Sequence, residues 1–123
     1  MSWAVTLGED FEREVEVLSE AVRIRLISHM KLLEQFGPQL ARPRVDTLNG
    51  SKHANMKELR FDADDGVWRT AFAFDPKRQA ILLVAGDKSG RSEKAFYKKL
   101  IKLADRRFDD HLEDLKNLKG KRK

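Results

Sequence analysis

Three cations stand among apolar residues in this 123-residue chain. Arg60 lies in Glu58-Leu59-Arg60-Phe61, where strand alternation sends Leu59 and Phe61 to one face and Glu58 and Arg60 to the other. Arg69 follows Trp68 inside a second apolar run, and Lys88 sits in Gly86-Asp87-Lys88-Ser89-Gly90, just past a third. Strands meeting in one meander bring these charges onto one sheet face. Like charges in a half-buried patch repel and lose hydration unless an anion or carboxylate compensates. Such a cluster reads as a phosphate site. Plainer readings exist for each member: Arg60 paired with Glu58 on its own strand, Arg69 stacked on Trp68, Lys88 an exposed loop lysine. Near them in order, Phe96 fits the apolar stripe of the last helix and leaves Tyr97 free to turn towards the sheet.

Other chemistries find less support. The chain has no cysteine, which excludes a disulfide scaffold, thiolate metal sites and thiol nucleophiles. His29, His53 and His111 fall in three different elements without ligand-like spacing, so neither a metal site nor a cofactor is expected. Phosphate-binding glycine motifs and a nucleophile elbow are absent. The pairs Lys98-Lys99 and Arg106-Arg107 read as solvated helix faces. Charge is uneven: residues 1–36 hold four Lys/Arg against seven Asp/Glu, whereas residues 37–123 hold twenty-one against thirteen. The basic second part points to a polyanionic partner, nucleic acid first and an acidic protein second.

The elements that must position these groups follow from periodicity. Trp3 to Leu7 alternates as a short strand. Phe11, Val15, Leu18, Val22, Leu26, Met30 and Leu33 recur at helical spacing. Ser19 is placed to cap a second helix over 19–36, and Gly37-Pro38 ends it. Residues 39–55 carry turn-formers and the cations Arg42, Arg44 and Lys52, and are expected to form a loop. Three strands follow, over 56–62, 67–75 and 79–85, the first two joined by Ala63-Asp64-Asp65-Gly66 as a hairpin turn. A helix over 92–118 and a disordered basic tail over 119–123 complete one α+β domain spanning 1–118. No apolar run approaches the length needed to cross a bilayer, and Met1-Ser2-Trp3 does not read as a leader, so a cytoplasmic protein without a membrane partner is expected.

Taken in order, Leu48-Asn49-Gly50-Ser51-Lys52-His53, Met56-Lys57-Glu58-Leu59-Arg60-Phe61, Gly66-Val67-Trp68-Arg69, Ala73-Phe74-Asp75-Pro76, Ile81-Leu82-Leu83, Gly86-Asp87-Lys88, Phe96-Tyr97 and Ala104-Asp105-Arg106 span nearly the whole chain. This series resembles the HigB-like, phage-related branch of the RelE/ParE toxin superfamily. The resemblance implies a RelE-like fold, with an antiparallel sheet of three or four strands packed on an N-terminal helical pair, a C-terminal helix, and the active face on the other side of the sheet. It implies a toxin of a type II toxin–antitoxin system, a metal-independent endoribonuclease that cuts messenger RNA, usually at the ribosome, by 2′-hydroxyl attack on the adjacent phosphate. The partners it implies are a helix-turn-helix antitoxin, messenger RNA and the ribosome.

By the same resemblance, Arg60, Arg69, Lys88 and Tyr97 are the catalytic positions. Lys52, His53 and Lys57 are candidates for binding RNA. Some members carry a histidine near the end of the last strand, which this chain lacks, so the general base is sought among Glu58, Asp87 and distant His53. Two other activities fit the same fold class: gyrase inhibition of the ParE type, and non-catalytic binding of RNA or the ribosome. The full cationic set favours the nuclease, because neutralising a transition state needs clustered charge and protein docking does not.

Overall fold

A computed structural model describes residues 2–121 of the chain. Its elements are β1 (Ala4–Leu7), α1 (Glu9–Val15), α2 (Glu20–Phe36), β2 (Val45–Thr47), β3 (Lys57–Ala63), β4 (Gly66–Phe74), β5 (Gln79–Asp87) and α3 (Glu93–Lys121), with a short 3₁₀ turn at Gly37–Gln39. Ser19 caps α2 by accepting the Val22 N–H at 3.3 Å. Gly37 ends that helix with φ 54°, and a Cβ there would collide with the Trp3 indole. Asp64 and Asp65, both at positive φ, turn the β3–β4 hairpin in two residues, as the right-handed twist of the strands requires.

The sheet runs β1-β5-β4-β3-β2, and it corrects the sequence reading in three ways. Its five strands exceed the expected three or four. The added pairing at one edge is parallel, β1 on β5: α1 and α2 carry the chain across to β2 at the far edge, and the antiparallel run β2-β3-β4-β5 returns with β5 in the direction of β1. At the other edge β2 emerges inside the segment expected to be a loop. Three residues are too few to show a period, and Val45–Thr47 becomes a strand only by pairing with β3. The third correction concerns the face opposite α1 and α2. Phe11, Val22, Leu26 and Leu33 from those helices pack on Leu59, Phe61, Phe72 and Leu82. On the other face Phe96, Leu100, Ala104 and Phe108 of α3 pack on Ala71, Ala73, Ile81 and Leu83. The supposed active face is therefore largely covered, up to the end where α3 begins and Tyr97 closes over Glu58 and Arg69. That helix runs on to Lys121, past the boundary expected at Leu118, and Arg122 and Lys123 of the expected tail lie outside the described residues.

Arg107 holds this sandwich together, and the solvated face expected of it is another correction. The register of β4 on β5 shifts from Ala71↔Val84 to Phe72↔Leu82, which leaves Leu83 as an extra, bulged residue. Arg107 Nη1 donates to the Leu83 carbonyl at 2.7 Å, and its fork grips Glu14 of α1 at 2.8 and 2.6 Å. The side chain is only 11% exposed. Hydrogen bonds from a charged donor are each worth more than neutral ones, and truncation orphans a buried carbonyl. Arg107→Ala should cost about 2 kcal/mol and lower the melting midpoint by roughly 6–12 °C in a thermal scan. Arg106→Ala, at an exposed neighbour, should stay within about 0.5 kcal/mol of the parent.

Candidate functional site

The end of the sheet where α3 begins collects the predicted cations. Register sets Arg60 opposite Arg69, and Arg69 opposite Gly86, so the side chains of both arginines stand on the α3 side with Glu58. Lys88 follows β5 directly, its N–H donating to the Val67 carbonyl at 2.8 Å. Phe96 packs against Gly86 so closely that a Cβ there would lie 2.9 Å from its ring, which is why this position needs glycine. With Phe96 committed to the core, Tyr97 turns to the sheet and becomes the hub. Its hydroxyl donates to Glu58 Oε1 at 2.8 Å and accepts from Arg69 Nε at 3.2 Å. Arg69 Nη1 donates to the Trp68 carbonyl at 2.9 Å rather than stacking on the indole, and Lys88 Nζ lies 5.7 Å from the Tyr97 ring centre.

Burial governs the electrostatics. Glu58 and Arg69 side chains are each 7% exposed, with Arg69 Nε 3.7 Å from Glu58 Oε1. Desolvation pushes the Glu58 carboxyl above its usual range, against the opposing pull of the Tyr97 hydrogen bond and the Arg69 charge. Tyr97 is pushed up to about 12, by burial first and then by its bond to Glu58, so it remains a phenol at neutral pH. Glu93 is held low by the Lys88 ammonium 2.9 Å away. Asp87 serves the loop: burial opposes ionisation, but bonds from the Ser89 hydroxyl and N–H and the Val67 N–H hold it below the ordinary carboxylate range.

Three predicted residues do not join this group. Lys52 and His53 sit under α3, both on Asp109, with the His53 ring edge-on to Phe108. At 1.5 Å rise per residue Asp109 stands about 18 Å along the helix from Tyr97. Lys57 alternates with Leu59 and Phe61 opposite Phe72, which puts it on the α1–α2 side of the sheet. The plain pairing of Arg60 does not hold: its Nη1 is 3.9 Å from Asp46 Oδ2 on β2, not on Glu58. The sequence reading weighed His29 only as a metal ligand, passed over Arg25, whose i, i+4 spacing puts it on the same side of α2, and gave no role to Arg44, whose carbonyl accepts the Arg60 N–H at 2.8 Å. Among the described residues no three His, Asp or Glu side chains converge as metal ligands, and no helix is long and apolar enough to cross a membrane.

Comparison with known proteins places this architecture. Residues 13–109 match the family described as phage-derived protein Gp49-like. The chain is 44% identical to HigB3 of Mycobacterium tuberculosis (strain ATCC 25618 / H37Rv) over 109 residues, covering 89% of this chain and 93% of HigB3. It is 47% identical to HigB2 of the same organism over 95 residues, covering 76% of this chain but 47% of HigB2, so it spans about half that relative's length. Both relatives are named as candidate toxins. Among solved structures, a free-state mutant of the E. coli toxin RelE superposes with a TM-score of 0.55 at 13% identity, over 82% of this chain and 95% of that one. The archaeal RelE–RelB complex from Pyrococcus horikoshii OT3 gives 0.52 at 17% identity, over 73% and 99%. At those identities the superpositions speak for the fold. The chain belongs to the phage-derived Gp49-like family, in its HigB-like branch, and folds as a RelE-type domain.

Proposed function

We propose that this chain is the toxin of a type II toxin–antitoxin pair, held in check by a helix-turn-helix antitoxin, and that it acts in the cytoplasm by cutting messenger RNA at the ribosome. The single observation behind this reading is the meeting of Arg69 and Lys88 around Tyr97, beside a buried carboxyl and with Arg60 opposite Arg69 in the register. In the reaction Glu58 takes the proton of a ribose 2′-hydroxyl and the 2′ oxygen attacks the adjacent phosphorus. The bond to the 5′ oxygen breaks, and that oxygen takes a proton from water. The products are a 2′,3′-cyclic phosphate and a 5′-hydroxyl end. Arg69 and Lys88 neutralise the extra charge of the pentacovalent phosphorane, the kind of stabilisation that dominates such catalysis, and Arg60 holds the phosphate. Side chains supply all the positive charge this scheme uses, so it calls on no metal. Tyr97, uncharged, fixes Arg69 and Glu58 relative to one another.

The test is inducible expression followed by mapping of transcript 5′ ends. Wild type should arrest growth and create new 5′-hydroxyl ends within coding regions, and Lys88→Ala should create at least ten-fold fewer. Arrest without new ends would overturn the nuclease reading and favour a gyrase-type target.

A further inference from the structure

We infer that the arginine-lined cavity at the free edge of β3 is a subsite for a second phosphodiester of the RNA strand, next to the one that is cut. The inference rests on the preceding reading only in taking RNA as the ligand. β2 pairs with β3 only at Lys57, Glu58 and Leu59, so beyond Arg60 the edge of β3 is left without a strand partner. There a cavity of about 340 Å³ opens, walled by Arg25 and His29 of α2, Pro43 and Arg44, and Arg60 and Arg69. Its size falls at the lower end of the range for small-ligand clefts.

Four guanidinium groups around one cavity repel unless an anion lies between them. Glu58, 3.7 Å from Arg69, answers that one charge from the Tyr97 side, and the carboxylates nearest the other arginines do not meet their need. Asp62, also at the cavity, is exposed, and Asp46 is bonded to Arg42 at 2.9 Å and stands 3.9 Å from Arg60. Arg60 Nε is buried without a hydrogen-bond partner. The wall is also built, not incidental. His29, 1% exposed, donates its Nδ1–H to the Arg25 carbonyl at 2.8 Å, which leaves Nε2 to accept from Arg44 Nη1 at 3.3 Å. A buried neutral imidazole thus aims Arg44, and the desolvation that lowers the His29 pKa agrees with that tautomer.

Continuity favours a polynucleotide over an acidic peptide. Arg69 lines the cavity and bonds Tyr97, with Arg60 opposite it in the register, so the cavity and the cluster adjoin and one extended ligand can reach both. A single RNA strand does this with one phosphate per nucleotide, and the planar fork of arginine suits each phosphate. A cavity of about 420 Å³ near Arg107 is ringed by Glu9, Asp10, Asp110, Glu113 and Asp114, and repels a polyanion.

The experiment measures binding of the full chain to an uncleavable 2′-O-methyl single-stranded oligonucleotide by fluorescence anisotropy, across a salt series. Arg25→Gln with Arg44→Gln should weaken binding and reduce the slope of log affinity against log salt by about 0.7 for each phosphate no longer neutralised. The charge-matched pair Lys31→Gln with Lys98→Gln, at exposed helix positions away from the cavity, should keep the wild-type slope. Equal slopes in the two double variants overturn the subsite. So does unchanged RNA binding by Arg25→Gln with Arg44→Gln together with lost affinity for a glutamate-rich peptide, which gives the cavity to a protein. Because nothing is cut in this assay, a lowered slope stands even if transcript mapping finds no cleavage, and equal slopes leave the cleavage reading intact.

Discussion

Arg69→Ala should slow RNA cleavage by about 10²–10³-fold while changing RNA affinity far less. The asymmetry follows from position. In the proposed reaction Arg69 is one of several cations along the strand in the ground state, but its guanidinium is the one held in place, by Tyr97 at 3.2 Å and the Trp68 carbonyl at 2.9 Å. A donor already oriented need not reorganise when charge develops on the phosphorane, so its loss falls on the chemical step. Arg69→Lys should recover only part of the rate, because an ammonium cannot reproduce both the Nε and Nη1 bonds. The same substitution tests stability, since Arg69→Ala leaves the Glu58 carboxyl buried without its cation. Single-turnover cleavage and equilibrium binding, measured on variants whose melting is checked first, separate these effects. A wild-type rate in folded Arg69→Ala would remove this arginine from the mechanism.

What the sequence revealed of this site depended on how local the determinant was. Alternation within a single strand fixes which side a residue takes, so Glu58 and Arg60 could be set against Leu59 and Phe61 before any packing was known. The choice between Phe96 and Tyr97 was likewise a matter of helical phase, and Phe96 does enter the core. Determinants spread over distant segments stayed hidden. Arg107 looks like any helix-surface arginine until a bulge at Leu83 and a glutamate on α1 meet it. Lys52 and His53 sit in a cation-rich segment, yet only the packing of α3 brings Asp109 to both. The wall made by Arg25, His29 and Arg44 draws on a helix and the approach to an edge strand too short to have a period. The parallel edge pairing escaped for a related reason: four residues of β1 announce a strand but carry no information about direction.

Glu58→Gln should lower cleavage by about 10²–10⁴-fold and flatten the acid side of the pH–rate profile. Three groups competed for the role of base, and the geometry separates them. His53 is tied to Asp109 far along α3, and Asp87 is spent on the Val67 and Ser89 amides, its carboxyl held low. Glu58 lies within the cationic group, and burial raises its pKa towards the range where a base works best. It must be ionised to accept the 2′-hydroxyl proton, so wild-type kcat/KM should climb as pH rises through the raised Glu58 pKa and level off above it. The stability profile carries the opposite sign. A raised carboxyl binds its proton more tightly in the folded state, so the stabilisation is complete below the ordinary value of 4.5 and is lost as pH rises from there through the folded pKa. Glu58→Gln has no such proton, and its stability relative to wild type should improve across that window. Asp87→Asn should instead lose stability while keeping the acid limb of the rate profile. If Glu58→Gln loses rate but its remaining activity still follows the wild-type acid limb, Glu58 only positions Tyr97 and Arg69, and the base lies elsewhere.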